Sequence, residues 1–200
     1  MSLFNRRRIL TGAFERPSDS AHTRFAPPMS GREIMRTRHF PNVPLITHEG
    51  RRVRFYDDLL EDKIVVLNLM YADCEGVCPT ITANLAKAQR LLPSRVKADV
   101  FFYSLTVNPA DDTPARLKEY ADMHGAGKRW LFLTGQPADL ELLRRTLGFV
   151  DLNPAVDKDK SSHSGVVRYG NEPLSLWGAV PGNSTPEWIV EEISFVVPRV

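Results

Sequence analysis

The stretch Ile64-Val65-Val66-Leu67-Asn68-Leu69-Met70-Tyr71-Ala72-Asp73-Cys74-Glu75-Gly76-Val77-Cys78-Pro79-Thr80 decides how the chain reads. Its first eight residues form an apolar run with the length and composition of a strand covered on both faces. A short loop follows that holds both cysteines of the chain. Pro79 then marks the first turn of a helix, where a missing N–H costs nothing. Proline also pushes the residue before it out of the helical region, which puts Cys78 at or near the N-cap. The free N–H groups and positive dipole end of such a position favour a thiolate, the form of sulfur that attacks disulfides and binds metals. Random placement would seldom bring two cysteines into one loop at a strand-to-helix junction. The pair therefore reads as functional rather than as core filling or a structural disulfide. With no second pair, C-x3-C is not half of a four-thiolate zinc pattern.

Working outward, Ile81, Leu85, Ala88, Leu91 and Leu92 recur at spacings of three and four, which predicts a helix with one inward face, ending at Pro93. Residues 99 to 107 read as a second buried strand. Thr113-Pro114 supplies an N-cap and first helical residue for a helix reaching His124-Gly125. Residues 129 to 134 read as a third strand, and 137 to 147 as a helix closed by Gly148. Residues 151 to 162 read as an exposed polar loop and 163 to 169 as a strand. Gly170-Asn171 reads as a turn into a strand at 173 to 177, and Pro186 opens a last helix to about Phe195. Upstream, two short alternating runs around Gly50, 45 to 47 and 52 to 55, predict a β-hairpin, and 56 to 60 a helical turn. This order implies an α/β fold with a largely parallel sheet finished by an antiparallel hairpin. A strand that delivers a cysteine pair to the first long helix is the arrangement of the thioredoxin fold. The chain divides into an irregular arm, residues 1–40, extended or flexible by its prolines and scattered arginines, and one thioredoxin-like domain, residues 41–200.

The 200 residues, 42% of them hydrophobic, suffice for one core, and a formal charge of +2 without basic residues interleaved with aromatics argues against nucleic acid as partner. No run approaches the eighteen or so apolar residues of a membrane span. Arg6-Arg7-Arg8-Ile9-Leu10 resembles the start of a twin-arginine export signal, but Glu15-Arg16-Pro17 cuts short the apolar region such a signal needs.

The C-x3-C spacing is one residue wider than the usual thioredoxin pair. A disulfide stays feasible, and the sulfurs can also open around a soft metal, Cu(I) above all, which needs one further donor such as imidazole. The candidate is His163, at the mouth of a strand after a long polar loop, where α/β folds place ligands. From the residues alone it stands open between ligand and structural residue. His22 and His39 fall in the arm and His48 in the hairpin turn. His124 falls in a last helical turn, where a cation is favoured.

The sequence resembles the Sco/SenC family through Val65-Val66-Leu67-Asn68-Leu69-Met70-Tyr71 with Cys74-x3-Cys78-Pro79. Phe102-Tyr103-Ser104-Leu105-Thr106-Val107-Asn108-Pro109, Asp112-Thr113-Pro114, Leu131-Phe132-Leu133-Thr134-Gly135 and Ser162-His163-Ser164 carry the resemblance further. It runs from about Pro44 to Val197. It implies an extracytoplasmic (periplasmic) thioredoxin-like protein whose Cys74, Cys78 and His163 ligate copper. It further implies a metallochaperone-like role in assembling the dinuclear copper site of cytochrome c oxidase, with a copper-receiving partner such as oxidase subunit II. The chain departs from many members in having Glu75 and Gly76 where they have proline and an acidic residue, and Ser162 where they have an aspartate that would orient the histidine. Asp157 or Asp159 would have to replace that aspartate. The alternative function is a thiol–disulfide oxidoreductase that keeps partner cysteines reduced, with Cys74 and Cys78 as its catalytic, redox-active pair and no metal. A peroxide-reducing relative would carry threonine where this chain has Tyr71.

Overall fold

Strand β3 (Ile64–Met70) lies inside a seven-stranded sheet whose strands follow the order β2 (Arg52–Arg54), β1 (Pro44–Thr47), β5 (Trp130–Gly135), β4 (Val100–Thr106), β3, β6 (Val166–Asn171), β7 (Leu176–Pro181). The computed structural model describes residues 29–158 and 165–198. β3 pairs parallel with β4 (Val100–Thr106), and β4 pairs parallel with β5 (Trp130–Gly135). Every other pairing is antiparallel: β1 (Pro44–Thr47) with β2 (Arg52–Arg54) and with β5, and β6 (Val166–Asn171) with β3 and with β7 (Leu176–Pro181). The sheet is therefore mixed, parallel only at its centre, where crossover helices cover both faces.

Alternation along β3 explains the two layers. Val66 and Met70 face a core built with α2 (Cys78–Leu91), α3 (Pro114–Met123) and α6 (Pro186–Ser194), while Val65, Leu67 and Leu69 face a second core that includes Leu140 and Leu143 of α4 (Pro137–Thr146). Asn68, the polar residue of the run, is buried on the first face. It accepts from Ser104 Oγ at 2.7 Å, and Ser104 in turn accepts from the Trp130 indole at 2.9 Å, so the polar atoms of this layer are paired. Thr113 caps α3, its hydroxyl accepting from Arg116 N–H at 3.3 Å, and the buried turn at Phe55–Leu60 is a π-helix.

Three elements differ from the sequence reading. The arm is not extended to Phe40, because α1 (Gly31–His39) is a helix with a capping box at Ser30 and Glu33. Arg32 of α1 places two nitrogens, each at 2.7 Å, on the buried carboxylate of Glu172. The loop before β6 contains a short helix, α5 (Pro154–Lys158). The last hairpin turns at residues 172–175 rather than at Gly170-Asn171, which belong to β6. Gly170 serves packing: a Cβ there would fall 2.2 Å from the Trp177 ring. No helix among the described residues is long and apolar enough to cross a membrane.

Candidate metal centre

β3 ends at Met70, and the chain leaves the carboxyl edge of the parallel strands through residues 71–77. This is where open α/β sheets present ligands. The loop is tied down where it leaves the sheet. Ala72 N–H donates to both carboxylate oxygens of Asp112, at 3.2 and 3.3 Å, and Asp112 also accepts from the Thr106 hydroxyl. Asp73 pairs with Arg116 of α3. The backbone then turns through Cys74 N–H to Tyr71 O at 3.3 Å and enters α2 at Cys78.

Cys78 is the first residue of α2, one place inside the expected cap, with Val77 as the N-cap. Both cysteines are free thiols and both are buried, at 6% and 1% exposure. Their thiols hydrogen-bond each other. Burial pushes the Cys74 thiol up, but hydrogen bonds from the Cys78 thiol, the N–H groups of Cys78 and Gly76 and the Tyr71 hydroxyl outweigh it, and the net direction is down. For Cys78, burial and the neighbouring Cys74 sulfur push the thiol up. The helix terminus thus does not bring the Cys78 thiol down, as its place at the helix start suggested. Depth wins over the dipole, and Cys74, nearer the loop N–H groups, is the more acidic sulfur. Tyr120, hydrogen-bonded to Thr82 at 3.0 Å, lies close enough to feel the charge of both sulfurs.

Of the sequence-predicted ligands, the structure brings Cys74 and Cys78 together. His163 lies outside the described residues, as do Ser162 and Asp159. Among the described residues no group of three His, Cys, Asp or Glu side chains is arranged to hold a metal. The start of β6 does reach this end of the molecule: a Cβ on Gly165 would fall 3.0 Å from Ile81 and 4.0 Å from Val77. Asp157, weighed as a support for His163, is committed elsewhere, its oxygens on Arg144 at 2.6 and 2.9 Å and on Asp151 N–H at 2.9 Å. His48 bridges the hairpin to β5, donating its N–H to Phe132 O at 2.8 Å and accepting Phe132 N–H on Nδ1 at 3.1 Å. His124 caps α3 and stacks on Tyr120 at 4.2 Å. Burial lowers its pKa, which works against the cation that a helix end favours. Sequence reasoning missed Tyr71 and Asp112 as parts of the site. Each had one signal, Asp112 its place in Asp112-Thr113-Pro114 and Tyr71 its place at the end of Val65–Tyr71, three residues before Cys74.

Residues 35–197 match the family model for SCO1/SenC. The chain belongs to the SCO1/SenC family. Among its relatives is a protein of Stutzerimonas stutzeri named "Putative copper-binding protein", 28% identical over 149 residues that cover 74% of this chain and 71% of that one. In structure this SCO1/SenC chain is similar to a SCO1/SenC family lipoprotein from Bacillus anthracis, with a TM-score of 0.63 and 24% identity over 77% of this chain and 92% of that one. It is also similar to yeast Sco1 with copper bound, with a TM-score of 0.62 and 20% identity over 78% and 90% of the two chains. These neighbours share the thioredoxin-like fold.

Proposed function

We propose that this SCO1/SenC chain is a copper-binding, metallochaperone-like protein that holds the ion through Cys74, Cys78 and His163. The observation that carries the reading is the pair of free, buried, mutually hydrogen-bonded thiols at the carboxyl edge of the sheet. Thiolates are soft donors suited to Cu(I), and the Tyr71 hydroxyl hydrogen-bonds Cys74 beside them. Copper in the yeast neighbour supports the choice of metal. Position supports His163 as third donor: Gly165 packs against Val77 and Ile81, and two residues of extended chain span at most about 7 Å. The recipient would be a copper-receiving protein such as subunit II of cytochrome c oxidase, and the compartment extracytoplasmic.

Anaerobic titration of the reduced full chain tests the site. One Cu(I) binds per chain, and Cys74→Ser, Cys78→Ser and His163→Ala each weaken it on the order of 100-fold, about 2.7 kcal/mol. His124→Ala leaves it unchanged. Unaltered Cu(I) affinity in His163→Ala removes that residue from the site. Rapid reduction of a model disulfide, indifferent to a copper chelator, would replace the copper reading by the oxidoreductase reading, in which Cys74 is the attacking sulfur.

A further inference from the structure

Tyr71, the first residue beyond β3, is held by the backbone on both sides. Met70 O before it accepts from Val107 N–H at 2.9 Å, and Ala72 N–H after it donates to Asp112. Its own carbonyl accepts from Cys74 N–H at 3.3 Å, which closes the turn from Tyr71 to Cys74. The half-buried ring packs against the core cluster that holds both cysteines. So fixed, the residue reaches both sulfurs: its N–H donates to Cys78 Sγ and its hydroxyl to Cys74 Sγ.

Cys74 Sγ has other donors, but they belong to the loop itself: the Cys78 thiol and the N–H groups of Cys78 and Gly76. Gly76 comes so near that a Cβ there would lie 3.8 Å from this sulfur. The Tyr71 hydroxyl differs in kind, being a side-chain donor set on one sulfur of the pair from the end of the strand. Its effect follows from the acceptor. Sulfur is a weak acceptor, stronger as a thiolate and weakest once its electrons are shared with a second sulfur in a disulfide. A donor aimed at Cys74 therefore stabilises the reduced pair against the disulfide, and a pair whose reduced form is stabilised is the more oxidising one.

We propose that Tyr71 is a positioning residue whose hydroxyl, donating to Cys74 Sγ, biases the Cys74–Cys78 pair toward the dithiol. Oxidation takes two protons and two electrons from the thiols and joins the sulfurs. With glutathione disulfide as the oxidant, its own S–S bond breaks and takes them up as two glutathione thiols. The bias belongs to the metal-free pair, so it holds under the copper and the oxidoreductase readings alike. Its use in keeping the sulfurs in the form that takes Cu(I) rests on the copper reading.

The test equilibrates the metal-free full chain, with a chelator present, in mixtures of glutathione and glutathione disulfide, and counts free thiols by alkylation and mass. Tyr71→Phe keeps the ring and the N–H on Cys78 and removes only the hydroxyl. It should move the equilibrium about fivefold toward the disulfide, a potential about 20 mV lower for a two-electron couple. Tyr71→Met, which also lacks the hydroxyl, moves it the same way and serves should Tyr71→Phe fold poorly. Tyr120→Phe, which removes a hydroxyl bonded to Thr82 at 3.0 Å in the same core, leaves it in place. A role in packing alone would weaken the dithiol and disulfide forms together. Urea unfolding of the two forms separates the cases, since Tyr71→Phe should lower the folding constant of the dithiol form about fivefold more than that of the disulfide form. An unmoved equilibrium in Tyr71→Phe, a shift toward the dithiol, or an equal shift in Tyr120→Phe overturns the proposal. No metal is present, so that outcome leaves the copper site standing, to be judged by the Cu(I) titration of His163→Ala.

Discussion

Asp112 and Glu172 are both carboxylates sealed from solvent, at 1% and 3% exposure, and their proton affinities move in opposite directions. Burial raises Asp112 against the lowering effects of the Thr106 hydroxyl, the Ala72 N–H and Arg116. Burial also raises Glu172, but Arg32, the Tyr56 hydroxyl at 2.6 Å and the Asp62 N–H at 3.0 Å outweigh it, and the net direction is down. The consequences for stability have opposite signs. Folded Asp112 holds its proton more tightly than the unfolded chain, so its contribution is full below the ordinary carboxylate value and falls as pH rises through the folded value. Glu172 contributes fully above the ordinary value and loses that contribution as pH falls through its folded value. Urea unfolding across the acidic range checks both: Asp112→Asn removes a decline with rising pH, and Glu172→Gln removes a decline with falling pH. Asp112→Ala also strips the acceptor from Ala72 N–H and the Thr106 hydroxyl, and should cost about 1–3 kcal/mol at neutral pH. Nothing in the local sequence marks Asp112 as buried, because its enclosure comes from the ends of β3 and β4.

At the scale of elements, α1, α5 and the last hairpin were the places where local reading failed. The helix signal for α1 was present, since Ser30-Gly31-Arg32-Glu33 is a capping box. It was masked because α1 buries none of its residues, so no apolar stripe rises above the charges. Arg32 on Glu172 ties α1 down, beside Met35 packed against the second core and Arg36 over the Tyr56 ring. Losing one partner of a buried pair costs several kcal/mol, but Arg32 is 39% exposed, so Arg32→Ala should cost only about 1–2 kcal/mol. Amide hydrogen exchange should show the loss concentrated in α1. In the hairpin, a Gly-Asn dipeptide carries a strong turn signal, yet Gly170 is needed where Trp177 crosses the strand. Gly170→Ala should destabilise the fold by about 1–3 kcal/mol through overpacking, measurable as a lower urea midpoint with an unchanged slope.

At the scale of the whole molecule, metal binding and folding are linked. If Cu(I) binds the folded reduced chain and not the unfolded one, free Cu(I) at about 100 times its dissociation constant adds about 2.7 kcal/mol of stability. Thermal unfolding with and without Cu(I) measures this, and Cys78→Ser should abolish the increment. An increment that persists in that variant would mean the ion is held elsewhere.

The sequence by itself determined the strand–loop–helix that carries the cysteines, the alternation that makes the fold thioredoxin-like, and the Thr113 cap of α3. These are set by neighbours a few residues apart: apolar period, proline at a first turn, threonine at a cap. Only the tertiary structure decided which sulfur is the more acidic and that Asp112 anchors the loop from 40 residues away. It also decided that Arg32 and Glu172, 140 residues apart, pin α1, and that β6 lies antiparallel to β3 with its start beside the cysteine loop. Those outcomes depend on burial and on strand register, which exist only once distant segments share a sheet.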